Sequence, residues 1–289
     1  MKRILIVLVA MVLVLGGVIA FRGEALTLSW MAIQTEKTDY EALKATLDDA
    51  IIVVEPDDTF AGPRPVLIQA HGCGGMQADR HRDWAAKAAA LGFVSVIIDS
   101  NRPRGYTRET ALETICVGDA LLGQERAADL LVAYDTARAT GRIDPQQVYL
   151  IGWSHGAWTI MDFLTMGPST LPAGLTAYDG PWPEVAGAVL FYPHCGLGAL
   201  SRVRKWQSQP DVLALLAAED EIVDTAQCEA MLAEMAAQGQ PVEQYTYPGV
   251  NHGFDNAFMR AETADWYQPD EAEDAVRRVE AFLRAATAP

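Results

Sequence analysis

Residues 146–158 read Gln-Gln-Val-Tyr-Leu-Ile-Gly-Trp-Ser-His-Gly-Ala-Trp, and they constrain the chain more than any other stretch. The short apolar run at 148–151 predicts a buried strand, and 157–164 predicts a helix. Only Gly152-Trp153-Ser154-His155-Gly156 separates the two. A strand-to-helix turn that tight holds its central residue at strained backbone angles and lifts its side chain above the sheet edge. A Cβ at either glycine would clash across the turn. Ser154 therefore stands where a nucleophile would.

Around this turn, strand-like runs alternate with helical ones. Strands are expected over 50–54, 65–70, 93–98, 186–192, 212–217 and 242–247, and helices over 83–91, 120–139 and 225–237. Gly92 reads as a left-handed cap on its helix. A last helix begins at a capping box over Asp270-Glu271-Ala272-Glu273 and carries one apolar stripe. Residues 27–33 and 40–47 suit strands at an antiparallel edge, and 99–116 and 167–184 suit long loops. This alternation predicts an α/β fold, a mostly parallel sheet of about eight strands with helices on both faces. No repeat or linker interrupts it, so 25–289 reads as one domain.

The first 24 residues are different. Lys2-Arg3 precede an apolar run over 4–21, which suits a signal peptide or an uncleaved membrane anchor and implies an extracytoplasmic (periplasmic or secreted) protein. Any membrane contact is then expected only through this segment. A formal net charge of −16 repels polyanions, so a nucleic-acid partner is not expected. Export permits disulfides among Cys73, Cys116, Cys195 and Cys228, which are too scattered for a zinc motif, and neither metal nor cofactor is implied.

A serine hydroxyl attacks only when a base takes its proton, and the base needs an acid to orient it. In the strand order of such folds the acid and then the base follow the serine. His252, after the last strand, is placed as base. Asp220, at the carboxyl end of the 212–217 strand, is placed as acid, with Asp224 as runner-up. Asp255 is too near His252 in sequence to orient it easily. His155 reads as packing and His81 as solvated. Oxyanion donors are expected from the backbone N–H of His155 and, among the glycines of the 71–75 loop, of Cys73.

His71-Gly72-Cys73-Gly74-Gly75, 99–105, 152–158, Tyr192-Pro193-His194-Cys195, 217–223 and 247–255 together resemble the dienelactone hydrolase family of α/β-hydrolases, with an exported subgroup most similar. The resemblance implies an α/β-hydrolase fold without a large lid. It also implies hydrolysis of a small carboxylic ester or lactone through an acyl-enzyme. The founding enzymes carry cysteine at the elbow, and Ser154 here favours general ester hydrolysis over dienelactone itself. A peptidase or amidase of the same fold and a catalytically silent binding protein are the alternatives, the latter disfavoured by Ser154, Asp220 and His252 standing together. In the family, arginines hold a substrate carboxylate. Arg102, Arg104 and Arg108, and the second cluster Arg202, Arg204 and Lys205, are candidates for that role, unless they pair with neighbours such as Glu109 and Glu113. In this fold Cys195 and Cys228 emerge from neighbouring strands and are expected to bridge, leaving Cys73 a free thiol; Cys116 competes for Cys195.

Overall fold

The computed structural model describes residues 23, 26, 35–258 and 261–287. The apolar segment over 4–21 and the strand expected over 27–33 lie outside the described residues. Seven strands build one sheet in the order β1-β3-β2-β4-β5-β6-β7. They are β1 (Ile51–Val54), β2 (Arg64–Ala70), β3 (Val94–Ile98), β4 (Ile143–Trp153), β5 (Val185–Phe191), β6 (Asp211–Ala217) and β7 (Val242–Tyr247). About eight strands were expected, and the described residues hold these seven. Only β1 is antiparallel, placing Ile51 opposite Ile98 of β3; every other pairing is parallel.

The helices are α1 (Tyr40–Leu47), α2 (Ala78–Ala90), α3 (Arg108–Thr114), α4 (Gly123–Ala139), α5 (His155–Leu164), α6 (Thr225–Ala237) and α7 (Pro269–Ala286). Strand residues alternate between two cores. Val148 and Leu150 of β4 join Leu130, Leu131, Ile160 and Met161 of α4 and α5 on one face. Ile151 and Trp153 join Trp84 of α2 and Val279 and Leu283 of α7 on the other. This two-residue alternation covers both faces of the parallel sheet.

Three expectations need correction. Tyr40–Leu47 is helical, not an edge strand. The Asp39 carboxylate accepts from the Glu41 N–H at 2.9 Å as an N-cap, and Leu43 and Leu47, one turn apart, are the residues it buries. The expected loop over 99–116 contains α3, started by a Thr107–Thr110 capping box. The last helix starts with Pro269, whose fixed φ suits the first turn, and no side chain caps it.

Cys195, after β5, is bridged to Cys228 in α6, with Cα atoms 5.2 Å apart and a sequence separation of 33. Closing a loop of that size contributes about 3–4 kcal/mol by restricting the unfolded chain. The double substitution Cys195→Ser, Cys228→Ser should lower the unfolding free energy by about that amount, read from urea denaturation.

Candidate active site

The turn after β4 is built as its glycines require. Ser154 sits at φ 53 and ψ −116, outside the regions open to ordinary L-residues. A Cβ on Gly152 would lie 2.6 Å from the Gly156 carbonyl carbon and the Ala157 nitrogen. One on Gly156 would strike the Ala70 carbonyl and lie 2.7 Å from the His71 oxygen. The absence of both lets the first turn of α5 press against the end of β2. The Ser154 N–H donates to the Phe191 carbonyl at 2.9 Å, which ties the turn to β5.

Asp220 and His252 come together. His252 Nδ1 lies 2.7 Å from Asp220 Oδ2, while Asp220 Oδ1 accepts from the Ile222 and Val223 N–H groups at 2.8 and 2.9 Å. The Asp220 side chain is fully buried and that of His252 nearly so. A carboxylate held this way fixes the imidazole with Nδ1 toward the acid and leaves Nε2 for chemistry. Asp224 instead caps α6 through Gln227. Asn251, which sequence reasoning passed over, joins the two loops: its Oδ1 accepts from the N–H groups of Glu221 at 3.0 Å and His252 at 2.7 Å. Its position just before the histidine is the only signal it offers in the sequence.

Asp255 does not orient His252 but anchors its loop from below. Its carboxylate accepts from Arg80 at 2.6 Å, Tyr192 at 2.6 Å and the Trp153 indole at 3.1 Å. The Tyr192 ring lies 4.5 Å from that of His252, centroid to centroid.

Ser154, Cys73 and His155 line one chamber of about 340 Å³, together with Ile115, Leu122, Trp158 and His194. Ile222 and Val223, the donors to Asp220, close it from the side of the acid. Among the described residues no hydrogen-bond partner takes the backbone N–H of Cys73 or His155. Cys73 is not a free thiol. It is bridged to Cys116, Cα to Cα 5.1 Å, so a disulfide forms part of the chamber wall. Cys73 and Cys116 stood far apart in sequence, and α3, which brings them together, was read as loop.

Arg102 and Arg104 stand elsewhere, whereas the Arg108 guanidinium lies against Gly74, beside Cys73. Both guanidinium nitrogens of Arg104 grip Asp129, at 2.9 and 2.7 Å. Arg102 donates to the Asp49 carbonyl at 2.7 Å, and neither arginine lines the chamber. Their carboxylates are Asp129 and Asp99 rather than Glu109 and Glu113. Arg204 and Lys205 line a separate cleft with Trp206 and Met231, beside the far end of α5, where Gln207 meets Leu164. Among the described residues, the chamber walls include no Lys, Arg, Asp or Glu.

Behind the chamber lie buried histidines. His81 was expected in solvent but packs edge-on against Trp153, with ring centroids 5.1 Å apart. Burial is the leading cause that pulls His81 down to about 3 and His71 and His155 well below the ordinary value. The Arg80 cation adds to the effect at His81, and Arg126 adds to it at His71 and His155. Burial pushes Asp162 the other way, up to about 7. It accepts from the Trp158 indole at 2.8 Å and so holds that ring in the chamber wall.

Residues 50–287 match the sequence model of the dienelactone hydrolase family. Among solved structures, the chain is similar to a dienelactone hydrolase-like promiscuous phosphotriesterase from metagenomic libraries. That match has 17% identity and a TM-score of 0.62, covering 82% of this chain and 99% of the other. A thermophilic esterase of Thermogutta terrifontis is similar at 16% identity and TM-score 0.59, covering 81% and 86%. The same esterase phosphorylated by paraoxon matches at 16% identity and TM-score 0.56, covering 81% and 87%.

The buried histidines set a pH dependence. They are neutral in the folded chain, so the unfolded chain takes up their three protons as pH falls through about 6.5, and each uptake lowers stability. Asp162, which already holds its proton in the fold below about 7, opposes with one. Net uptake of about two protons predicts a loss of roughly 2–3 kcal/mol per pH unit between about pH 6 and 4. Urea unfolding at pH 7.5, 6 and 5 checks the slope; stability that rises on acidification would contradict it.

Proposed function

The chain belongs to the dienelactone hydrolase family, and on that footing we propose that it hydrolyses small, uncharged carboxylic esters through an acyl-enzyme on Ser154. Ester hydrolysis follows from the family. The observation that supports the finer reading is the Asp220–His252 pair at 2.7 Å, the acid carried on a loop whose Ile222 and Val223 line the same chamber as the strained Ser154 turn.

In this reading His252 Nε2 takes the Ser154 proton as Oγ attacks the ester carbonyl, and Asp220 stabilises the resulting imidazolium. The oxyanion is received by the Cys73 and His155 N–H groups. As the C–O bond breaks, His252 returns the proton to the leaving alkoxide. Water, deprotonated by the same ring, then releases the acid and restores Ser154. No cofactor takes part.

The walls support an uncharged substrate. A carboxylate would enter an acidic protein and find no cation among the described residues that line the chamber, and Arg102 and Arg104 are paired with Asp99 and Asp129. At about 30 Å³ per water-sized atom, the volume of about 340 Å³ has room for about eleven heavy atoms. The rim adds apolar surface, since Val117, Leu197 and Ile222 are 62, 69 and 59% exposed. The two disulfides suit an oxidising compartment, consistent with export by the N-terminal segment.

A fluorophosphonate should add one mass equivalent to the wild-type chain and none to Ser154→Ala, read by intact mass; full labelling of that variant would place the nucleophile elsewhere. Asp220→Asn should cut kcat by about 10⁴, whereas Asp224→Asn, at a helix cap, should leave it within a small factor. Phenyl butyrate should exceed the mono-phenyl ester of glutaric acid in kcat/KM by at least about tenfold, a difference of about 1.4 kcal/mol. Equal rates on the two would restore a cation to the substrate site.

A further inference from the structure

Arg126 is a cation placed behind both expected oxyanion donors. It belongs to α4, between Glu125 and Ala127, and is 1% exposed. Its Nε donates to Ser100 Oγ at 2.9 Å. Its Nη1 donates to the His71 carbonyl at 2.7 Å and meets His155 Nδ1 at 3.1 Å. His71 begins the loop that carries Cys73, and His155 is itself the second donor residue. The two segments approach closely here: Gly156 would meet the His71 oxygen at 2.7 Å if it carried a Cβ, and a Cβ on Gly72 would lie 3.8 Å from that of Ser154.

The contacts at this guanidinium are neutral. Among the described residues no carboxylate lies within ion-pair distance of it. Asp129 is gripped by Arg104, and Asp99 accepts from the Asn101 and Arg102 N–H groups. Its Nη2 is buried without a hydrogen-bond partner. Burial pulls the group down to about 10, so it remains a cation at neutral pH. His155, kept neutral by burial and by this cation, can accept at Nδ1. Asp129 and Asp99 lie near enough to favour its charge without pairing with it directly, and a buried cation with no direct carboxylate partner is costly as a structural device alone. It is favoured where negative charge develops nearby in a water-poor site.

We propose that Arg126 is the positioning residue of the oxyanion hole: it sets the spacing of the 71–73 loop and the His155 turn, and supplies fixed positive charge behind them. The proposal rests on the serine-hydrolase reading above. It predicts an effect that grows with charge on the substrate oxygen and is small on neutral ground-state binding.

The test compares wild type, Arg126→Met and Arg126→Lys. Arg126→Met should lose about 100-fold in kcat on phenyl butyrate, as for loss of an oxyanion donor, with KM within about threefold. Arg126→Lys should recover to within about tenfold of wild type. The second readout is inhibition by an aryl trifluoromethyl ketone, which forms a charged tetrahedral adduct with a serine, against the methyl ketone of the same skeleton. Affinity for the first should fall with kcat and affinity for the second should hold. If folded Arg126→Met, judged by circular dichroism, keeps kcat, or if either variant loses affinity for both ketones equally, the proposal is overturned. Should Arg126→Met not fold, Arg126→Lys decides alone, since a purely structural role would move both ketones together. Failure of the wild-type chain to form the adduct on Ser154 would overturn the hydrolase reading itself, an outcome distinct from one confined to the variants.

Discussion

The approach of α5 to the end of β2 is the contact on which the rest depends. Two missing side chains, at Gly152 and Gly156, allow the helix to start directly beneath the carbonyls of Ala70 and His71. That closeness forces Ser154 into its strained angles, and the strain is held because all ten residues of α5 are buried. It also brings the His71 loop and His155 within reach of one guanidinium. The Ser154 turn, the loop that begins at His71 and Arg126 are gathered by a single tight packing event.

The site is kept in place by polar groups below it more than by the chamber's own walls. Asp220 is satisfied by two backbone donors and a histidine, and Asn251 links its loop to that of His252. Asp255 pins the following residues through Arg80, Tyr192 and Trp153. Such networks define one geometry when their members are partnered and are costly when broken. Covalent ties do the same work in the loops. Cys73–Cys116 fixes one wall of the chamber, and Cys195–Cys228 joins the loop after β5 to the helix after β6.

Charge is partitioned between surface and site. The chain is strongly acidic overall, yet the chamber is lined by apolar side chains, a disulfide, Trp158 and two histidines. Two of the arginines that a reader of the sequence would send to the substrate are taken up by structure: Arg104 by Asp129 and Arg102 by Asp99. Arg126 differs: it is buried with no carboxylate in ion-pair contact among the described residues and reaches the His71 carbonyl and His155.

Much of this was legible in the chain before any fold was built. The strand, the Gly-x-Ser-x-Gly turn and the helix are local, and backbone sterics alone require the two glycines and expose Ser154. The alternation of strands and helices, and hence a covered parallel sheet, follows from the period of apolar residues. Asp220 and His252 could be named because each ends a strand at the same sheet edge. Other features are decided by residues far apart in sequence, and local pattern carries no record of them. Tyr40–Leu47 became a helix whose Leu43 and Leu47 are buried in the core shared with α4 and whose Tyr40 donates to Asp135 of α4, partners that no short window reveals. Cys73 found Cys116 through a helix inside an apparent loop. Arg104 found Asp129, and Arg126 found His71 and His155. A side chain's partner is set by three-dimensional proximity, and burial then makes that partner binding, because a buried charge or donor cannot fall back on water.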